Sequence, residues 1–274
     1  MSKKGERELI EIERVSFKYS GSNEYALKDL SLSISRPSIT AIVGRNGAGK
    51  STLLRLLNGL IPHFYEGEFR GRVLVDGVDT REVDISDLSR KVGLVFQNPE
   101  HMFFSETVWD EVIFGPKALG RNDFEELGEK ALRLTGLTDM KDYPPWSLSG
   151  GEMKRLSIAC ILSMETDYIA LDEPTVGQDA VSRRELIEIL RNLRNMGKGI
   201  IVVSHDLEWI SDLRPDRIIV IRDGYVFVDG GCDLLADVTI LARAGLIPPM
   251  SAIIGRAIGV RGFGIDDILK EVLG

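Results

Sequence analysis

Polar and apolar positions alternate along residues 9–19 (LIEIERVSFKY), and the same period of two returns in residues 27–34 (LKDLSLSI). Each stretch therefore predicts a strand with one buried face. Residues 38–44 (SITAIVG) are almost wholly apolar, the pattern of a strand covered on both sides. Four more such runs follow: KVGLVFQ (91–97), DYIALDE (167–173), GIIVVSHD (199–206) and RIIVIRDG (217–224). Between them the apolar spacing lengthens to three and four, which predicts helices over 50–59, 107–119, 123–135, 152–164 and 180–196. Thr107 with Asp110 has the spacing of a capping box, and Gly136 and Gly197 stand where helices commonly end. Asp223-Gly224, between two short β runs, predicts a hairpin with a type I′ turn.

Strands alternating with helices predict an α/β fold on a mostly parallel sheet, entered through an N-terminal antiparallel β region. From about 98 to 166 three helical patterns follow one another without a strand, which reads as a helical subdomain inserted into the sheet. Residues 1–232 are expected to form one domain and 233–274 a C-terminal helical extension, broken by Pro248-Pro249 and several glycines. GVRGFG (259–264) has neither the context nor the spacing of a dinucleotide loop and is expected to be a turn.

Composition narrows the function. The 274 residues are 43% hydrophobic and 28% charged, ordinary for a globular chain with a sizeable core. A formal net charge of -8 argues against a dedicated nucleic-acid binder. Cys160 and Cys232 are too few for a disulfide framework, and Cys160, within LSIACILSM, is expected in the core, which suits a reducing compartment. The start MSKKGERELIEIE has no apolar signal core, and no apolar run nears the ~20 residues that span a bilayer. The expectation is a soluble chain that reaches a membrane only through a partner.

The chemistry begins at GRNGAGKST (44–52), a phosphate loop placed between a strand and a helix. Gly44, Asn46, Gly47 and Gly49 let the backbone curl so that successive N–H groups face a β-phosphate. Lys50 adds charge at the β- and γ-phosphates, and the Ser51 hydroxyl, followed by Thr52, is placed to reach Mg²⁺. The core is thus that of a phosphate-loop NTPase. Asp172, ending the strand YIALD, is placed to hold Mg²⁺ through water, and Glu173 to act as base toward an attacking water. The alternative for this acid pair is a solvated loop. His205, just beyond a buried strand, is placed to contact the γ-phosphate at the carboxyl edge of the sheet. A second anion-binding helix start stands at WSLSGGEMKR (146–155).

Taken in order, Gly44–Thr52, Gln97, LSGGE (148–152), IALDE (169–173), Asp179 and His205 resemble an ATP-binding-cassette ATPase over roughly residues 9–230. The resemblance implies two cassettes packed head to tail with two ATP molecules between them. It makes Ser149, Gly150 and Gly151 the caps on the γ-phosphate of the ATP held by the opposite cassette, so that each chain carries two half-sites. It implies that Tyr19 stacks on adenine, against the alternative of an ordinary strand tyrosine. Gln97 is implied as a contact of Mg²⁺ and water that senses a membrane partner, and Asp179 as a cross-dimer residue. Glu152 replaces a common glutamine, and VGQD departs from the usual Ser-Ala-Leu-Asp-like turn.

Residues 96–120 (FQNPEHMFFSETVWDEVIFGPKALG) resemble the cassettes of energy-coupling-factor importers, which take up metal ions and vitamins. Met102, Phe103, Phe104, Trp109 and Phe114 crowd there beside Gln97 and suggest a groove for a partner helix. That resemblance implies a second cassette (a copy or a paralogue), an integral membrane coupling subunit, a substrate-binding membrane subunit, and a peripheral place on the cytoplasmic face. The alternatives are a soluble cassette ATPase acting on ribosome or DNA, a cassette of another transporter type, and a cassette that binds without hydrolysing.

Overall fold

The structure, a computed structural model, describes residues 9–260 and 262–273. Residues 1–8, most of the start read for a signal sequence, and Arg261, inside the glycine-rich GVRGFG stretch, lie outside the described residues, as does Gly274. In chain order the first elements are β1 (Leu9–Tyr19), β2 (Leu27–Ser35), β3 (Ser38–Val43), α1 (Lys50–Leu57), α2 (Leu60–His63), β4 (Gly67–Val75), β5 (Val78–Asp79), α3 (Ile85–Ser89) and β6 (Val92–Val95). Then come α4 (Val108–Ala118), α5 (Phe124–Thr135), α6 (Gly150–Ser163), β7 (Tyr168–Asp172), α7 (Ala180–Asn195), β8 (Gly199–Ser204), α8 (Leu207–Leu213), β9 (Arg217–Arg222) and β10 (Tyr225–Gly230). The chain closes with α9 (Val238–Arg243), α10 (Met250–Ile258) and α11 (Ile265–Leu273).

Two sheets carry the strands. One is antiparallel, in the order β2-β1-β4-β5. The other runs β10-β9-β3-β8-β7-β6 and is parallel except where β10 turns back on β9. The parallel strands are apolar throughout because both faces are covered. Ile42 of β3 joins a core between the sheets with Ile10, Phe17, Leu53 and Leu57, while Ala41 and Val43 face the opposite core with Ile189 and Leu190 of α7. Each such side chain taken from water contributes about 1.5–3 kcal/mol, so the ends of β3, β7 and β8 are held on a rigid frame. A third core joins α4, α5 and α6 through Val108, Val112, Leu132, Leu156 and Ala159. Leu235, Leu241 and Leu246 bring the segment after β10 onto the outer face of the parallel sheet.

The differences from the sequence reading are local and have physical causes. Asp223 (φ 54) and Gly224 (φ 86) make the expected left-handed turn between β9 and β10. Thr107 caps α4, accepting the Asp110 N–H at 3.0 Å, but Asp110 answers the Thr107 hydroxyl rather than its backbone. The reciprocal capping box belongs to α6, where Ser149 accepts the Glu152 N–H and the Glu152 carboxylate accepts the Ser149 N–H at 2.7 Å. That box starts α6 at Gly150, two residues before the predicted position, and places both glycines in its first turn. β6 ends at Val95, so Gln97 lies beyond the strand rather than at its end.

Candidate functional site

Three strands deliver the site to one edge. Val43 of β3 is in register with Ser204 of β8, and Val203 of β8 with Asp172 of β7. The loop after β3, the acid pair at the end of β7 and His205 after β8 therefore emerge side by side at the carboxyl edge, where open α/β sheets hold ligands.

The loop is glycine-bound by contact. A Cβ on Gly44 would meet the Ile221 carbonyl oxygen at 2.3 Å, and one on Gly49, itself at φ +103, would meet the Ala26 oxygen at 2.4 Å. Lys50 follows at the first position of α1 and is 5% exposed. Its Nζ donates to the carbonyls of Gly44 (2.8 Å) and Arg45 (3.1 Å) and lies 3.5 Å from Glu173 Oε1. The ammonium is thus held at the loop and shared with the acid of β7's exit.

Glu173 leaves β7 at φ 43, a left-handed backbone uncommon outside glycine. Its N–H donates to the Val203 carbonyl at 2.9 Å, and its carboxylate turns back to accept the His205 N–H at 3.2 Å. His205 Nδ1 lies 2.9 Å from the same Glu173 Oε2, with the imidazole half-exposed. Two basic groups and one backbone donor therefore fix a single buried carboxylate.

Asp172 behaves differently. Burial raises its pKa, opposed by a hydrogen bond with Ser51, and its Oδ1 is buried with no hydrogen-bond partner. An orphaned buried carboxylate oxygen beside a hydroxyl is an all-oxygen donor pair for a hard cation, so these residues fit Mg²⁺. Among the described residues no cluster of three or more His, Cys, Asp or Glu could cage a metal, in keeping with an ion held largely by phosphate and water.

Asn46, Gly47, Gly49, Lys50, Ser51, Thr52, Gln97 and Glu173 line one cleft of about 310 Å³, with Ala26 at its wall. Tyr19 is not part of that lining. Its hydroxyl bonds Thr52 Oγ1 (3.1 Å) and accepts from Arg55 (3.0 Å), and its ring stands edge-on to Phe17 and Tyr65.

Ser149, Gly150, Gly151 and Asp179 also stand outside the cleft lining, but next to each other's elements. Gln178 Nε2 donates to the Gly150 carbonyl at 3.0 Å, and a Cβ on Gly151 would meet Ser182 Oγ at 2.2 Å. Asp179 caps α7 by accepting the Ser182 N–H at 2.8 Å. Among the described residues no partner exists for the N–H groups of Gly150 and Gly151, which open the first turn of α6.

Sequence reasoning passed over Gln178 and Lys154. Lys154 is 1% exposed, and its Nζ donates at 2.9 Å to the carbonyls of Phe96 and Gln97. The available signal was its place on a helix face otherwise made of Ser157, Ile158 and Ile161, all buried.

The ABC transporter family profile matches residues 27–176. A Pyrococcus horikoshii chain described only as an ABC transporter ATP-binding protein is 40% identical over 268 residues, covering 96% of this chain and 99% of that one. The energy-coupling factor transporter ATP-binding protein EcfA of Carboxydothermus hydrogenoformans is 40% identical over 243 residues, covering 88% and 87%. The solved structure of CbiO1 from Clostridium perfringens, part of the ABC transporter complex CbiONQ, superposes with a TM-score of 0.76 at 30% identity, covering 93% of this chain and all of that one. Phosphate loop, acid pair and family agree: the chain belongs to the ABC transporter family as one of its ATP-binding, ATP-hydrolysing cassettes, on the α/β phosphate-loop NTPase fold.

Proposed function

We propose that this cassette, seated on the cytoplasmic face, energises a membrane importer of the energy-coupling-factor type that takes up a metal ion or a vitamin. It works head to tail with a second cassette, beside an integral coupling subunit and a substrate-binding membrane subunit. Residues 1–232 form the ATPase domain, with the helical subdomain at 98–166, and 233–274 its extension. The observation that carries the reading is an exposed aromatic pair in the segment that follows the cleft's Gln97 in sequence. Phe104 and Phe114 meet edge to face at 4.7 Å, yet are 61% and 50% exposed. Phe114 is on α4, and the loop carrying Phe104 is held to that helix by the buried Glu111 carboxylate, which accepts the N–H groups of Phe104 (3.0 Å) and Ser105 (2.8 Å). An apolar pair on so rigid a mount suits a groove that receives a partner helix. The names of EcfA and CbiO1 support the same reading. Among the described residues no helix is long and apolar enough to cross a membrane, so the partner supplies the span.

The hydrolytic step follows from the cleft. The loop N–H groups and Lys50 take the β- and γ-phosphates of ATP, Tyr19 its adenine, and Ser51, Gln97 and Asp172 the Mg²⁺. That ion, when bound, neutralises phosphate charge. Glu173 orients a water and accepts its proton as the water oxygen bonds to the γ-phosphorus and the bond to the bridging oxygen breaks, releasing ADP. His205 holds Glu173 and reaches the γ-phosphate. The site is completed in trans by Ser149, Gly150, Gly151 and Asp179 of the second cassette. Isolating the full chain from membranes tests the reading. The expected outcome is co-isolation of a multi-span subunit that supports ATP-dependent uptake in vesicles, lost in Phe104→Ala/Phe114→Ala. Co-isolation of ribosomes or DNA instead would replace the importer with the soluble class.

A further inference from the structure

Lys154 is a buried cation with no carboxylate beside it. Among the described residues no acidic group lies within ion-pair distance, and burial pulls its ammonium down to about 8, with Glu100 and Asp172 acting against that at longer range. Burying an uncompensated charge costs stability, so its retention calls for a function at the groups it touches. Those groups are two consecutive carbonyls, of Phe96 and Gln97, just past the end of β6. Gln97 is one of the residues that line the phosphate cleft. Lys154 itself stands on the second turn of α6, whose first residues are Gly150 and Gly151 behind the Ser149 cap. Farther along, α6 is bonded to α4, where Ser163 Oγ donates to the Val112 carbonyl at 2.7 Å. Phe114 of the exposed aromatic pair is on α4.

We infer that Lys154 is a positioning residue that clamps the Phe96–Gln97 backbone to the start of α6, so that Gln97 in one cleft and Ser149–Gly151, serving the other, move as one body. A carbonyl pair has no directional hold on an apolar helix face; two charge-assisted bonds from one ammonium supply it. The clamp makes a shift of α4 at the membrane partner felt at both composite sites, through Gln97 in one and Ser149–Gly151 in the other. This inference rests on the proposed role of Ser149–Gly151 toward a partner's nucleotide.

The test compares the full chain with Lys154→Met and Lys154→Arg. Lys154→Met removes the donors and the buried charge together, so the melting temperature is expected to stay within about 4 °C. Amide exchange at residues 96–98 is expected to rise at least ~10-fold, with β7 and β8 unchanged. Mg²⁺–ATP is expected to protect residues 149–153 in the parent but not in Lys154→Met. The kcat for ATP is expected to fall at least ~10-fold with KM within ~3-fold, and Lys154→Arg to recover most of it. Unchanged exchange at 96–98, or a parental kcat in Lys154→Met, overturns the clamp. If Met unfolds the chain, Lys154→Gln is read by the same exchange criterion. A parent that binds ATP but never pairs sinks the two-cassette reading, and the exchange at 96–98 still judges the clamp.

Discussion

Lys50 Nζ stands 3.5 Å from Glu173 Oε1, both side chains more than nine-tenths buried. The cation proposed to bind phosphate and the carboxylate proposed as hydrolytic base thus hold each other. In so dry a setting an ion pair and a triphosphate compete for the same ammonium.

Glu173→Gln removes the competing charge and the base at once. ATP binding is expected to tighten about threefold or more, since the ammonium is released to the phosphates. Hydrolysis is expected to fall at least ~10²-fold, and an ATP-bound dimer to accumulate. Titration calorimetry and phosphate release check the two halves. Turnover at the parental rate would remove Glu173 from its role.

Lys50→Ala is expected to weaken ATP binding about tenfold or more, each lost charge-assisted contact being worth about 1.5–3 kcal/mol. It also leaves Glu173 with His205 as its remaining basic neighbour. Equal ATP affinity of variant and parent, by calorimetry, would overturn the phosphate-loop assignment.

The raised pKa of Asp172 gives a pH dependence with a definite sign. Burial favours the neutral acid, so the charged form destabilises the fold and the penalty is present once pH exceeds the folded pKa. Mg²⁺ needs the charged form, so Mg²⁺-dependent ATP affinity is expected to fall with acid earlier than for an ordinary carboxylate. Asp172→Asn is expected to melt at pH 7 no lower than the parent, by roughly 0–3 °C, while losing the Mg²⁺ dependence. A clear loss of stability with Mg²⁺ dependence intact would contradict both halves.

How much of this was legible follows from range in sequence. The runs at β3, β7 and β8 could be read because strands buried on both faces need no periodicity to betray them. The loop Gly44–Lys50 is local, and its constraints fall on consecutive residues. β4 went unread because the exposed Arg70 and Arg72 flank Gly71 in its middle, and only Val73 and Val75 of the strand are buried. The Lys154 contact joins residues 57 and 58 apart, and the Tyr19–Thr52 bond residues 33 apart, distances that no local pattern encodes. The resemblance could name Gln97 and Ser149 separately. What ties their backbones together required the packing of α6 on the end of β6.

The proposed head-to-tail arrangement makes the sharpest demand, because Ser149 lies outside the lining of its own chain's cleft. Ser149→Arg puts a bulky cation where the second cassette's γ-phosphate must approach and removes the cap of α6, at a cost of about 1 kcal/mol. The isolated chain is expected to bind ATP as the parent does, since Lys50, Ser51 and Thr52 are untouched. Pairing on ATP and hydrolysis are both expected to fall. If the chain pairs with itself, mixing Ser149→Arg with Lys50→Ala sharpens the result. In a mixed pair both lesions fall on one composite site and leave the other whole, so part of the ATPase activity is expected to return although neither variant is active alone. Loss of ATP binding by the lone Ser149→Arg chain would place the action of Ser149 in cis. No recovery in demonstrated mixed pairs, with monomer binding intact, would mean that the two sites fire only together.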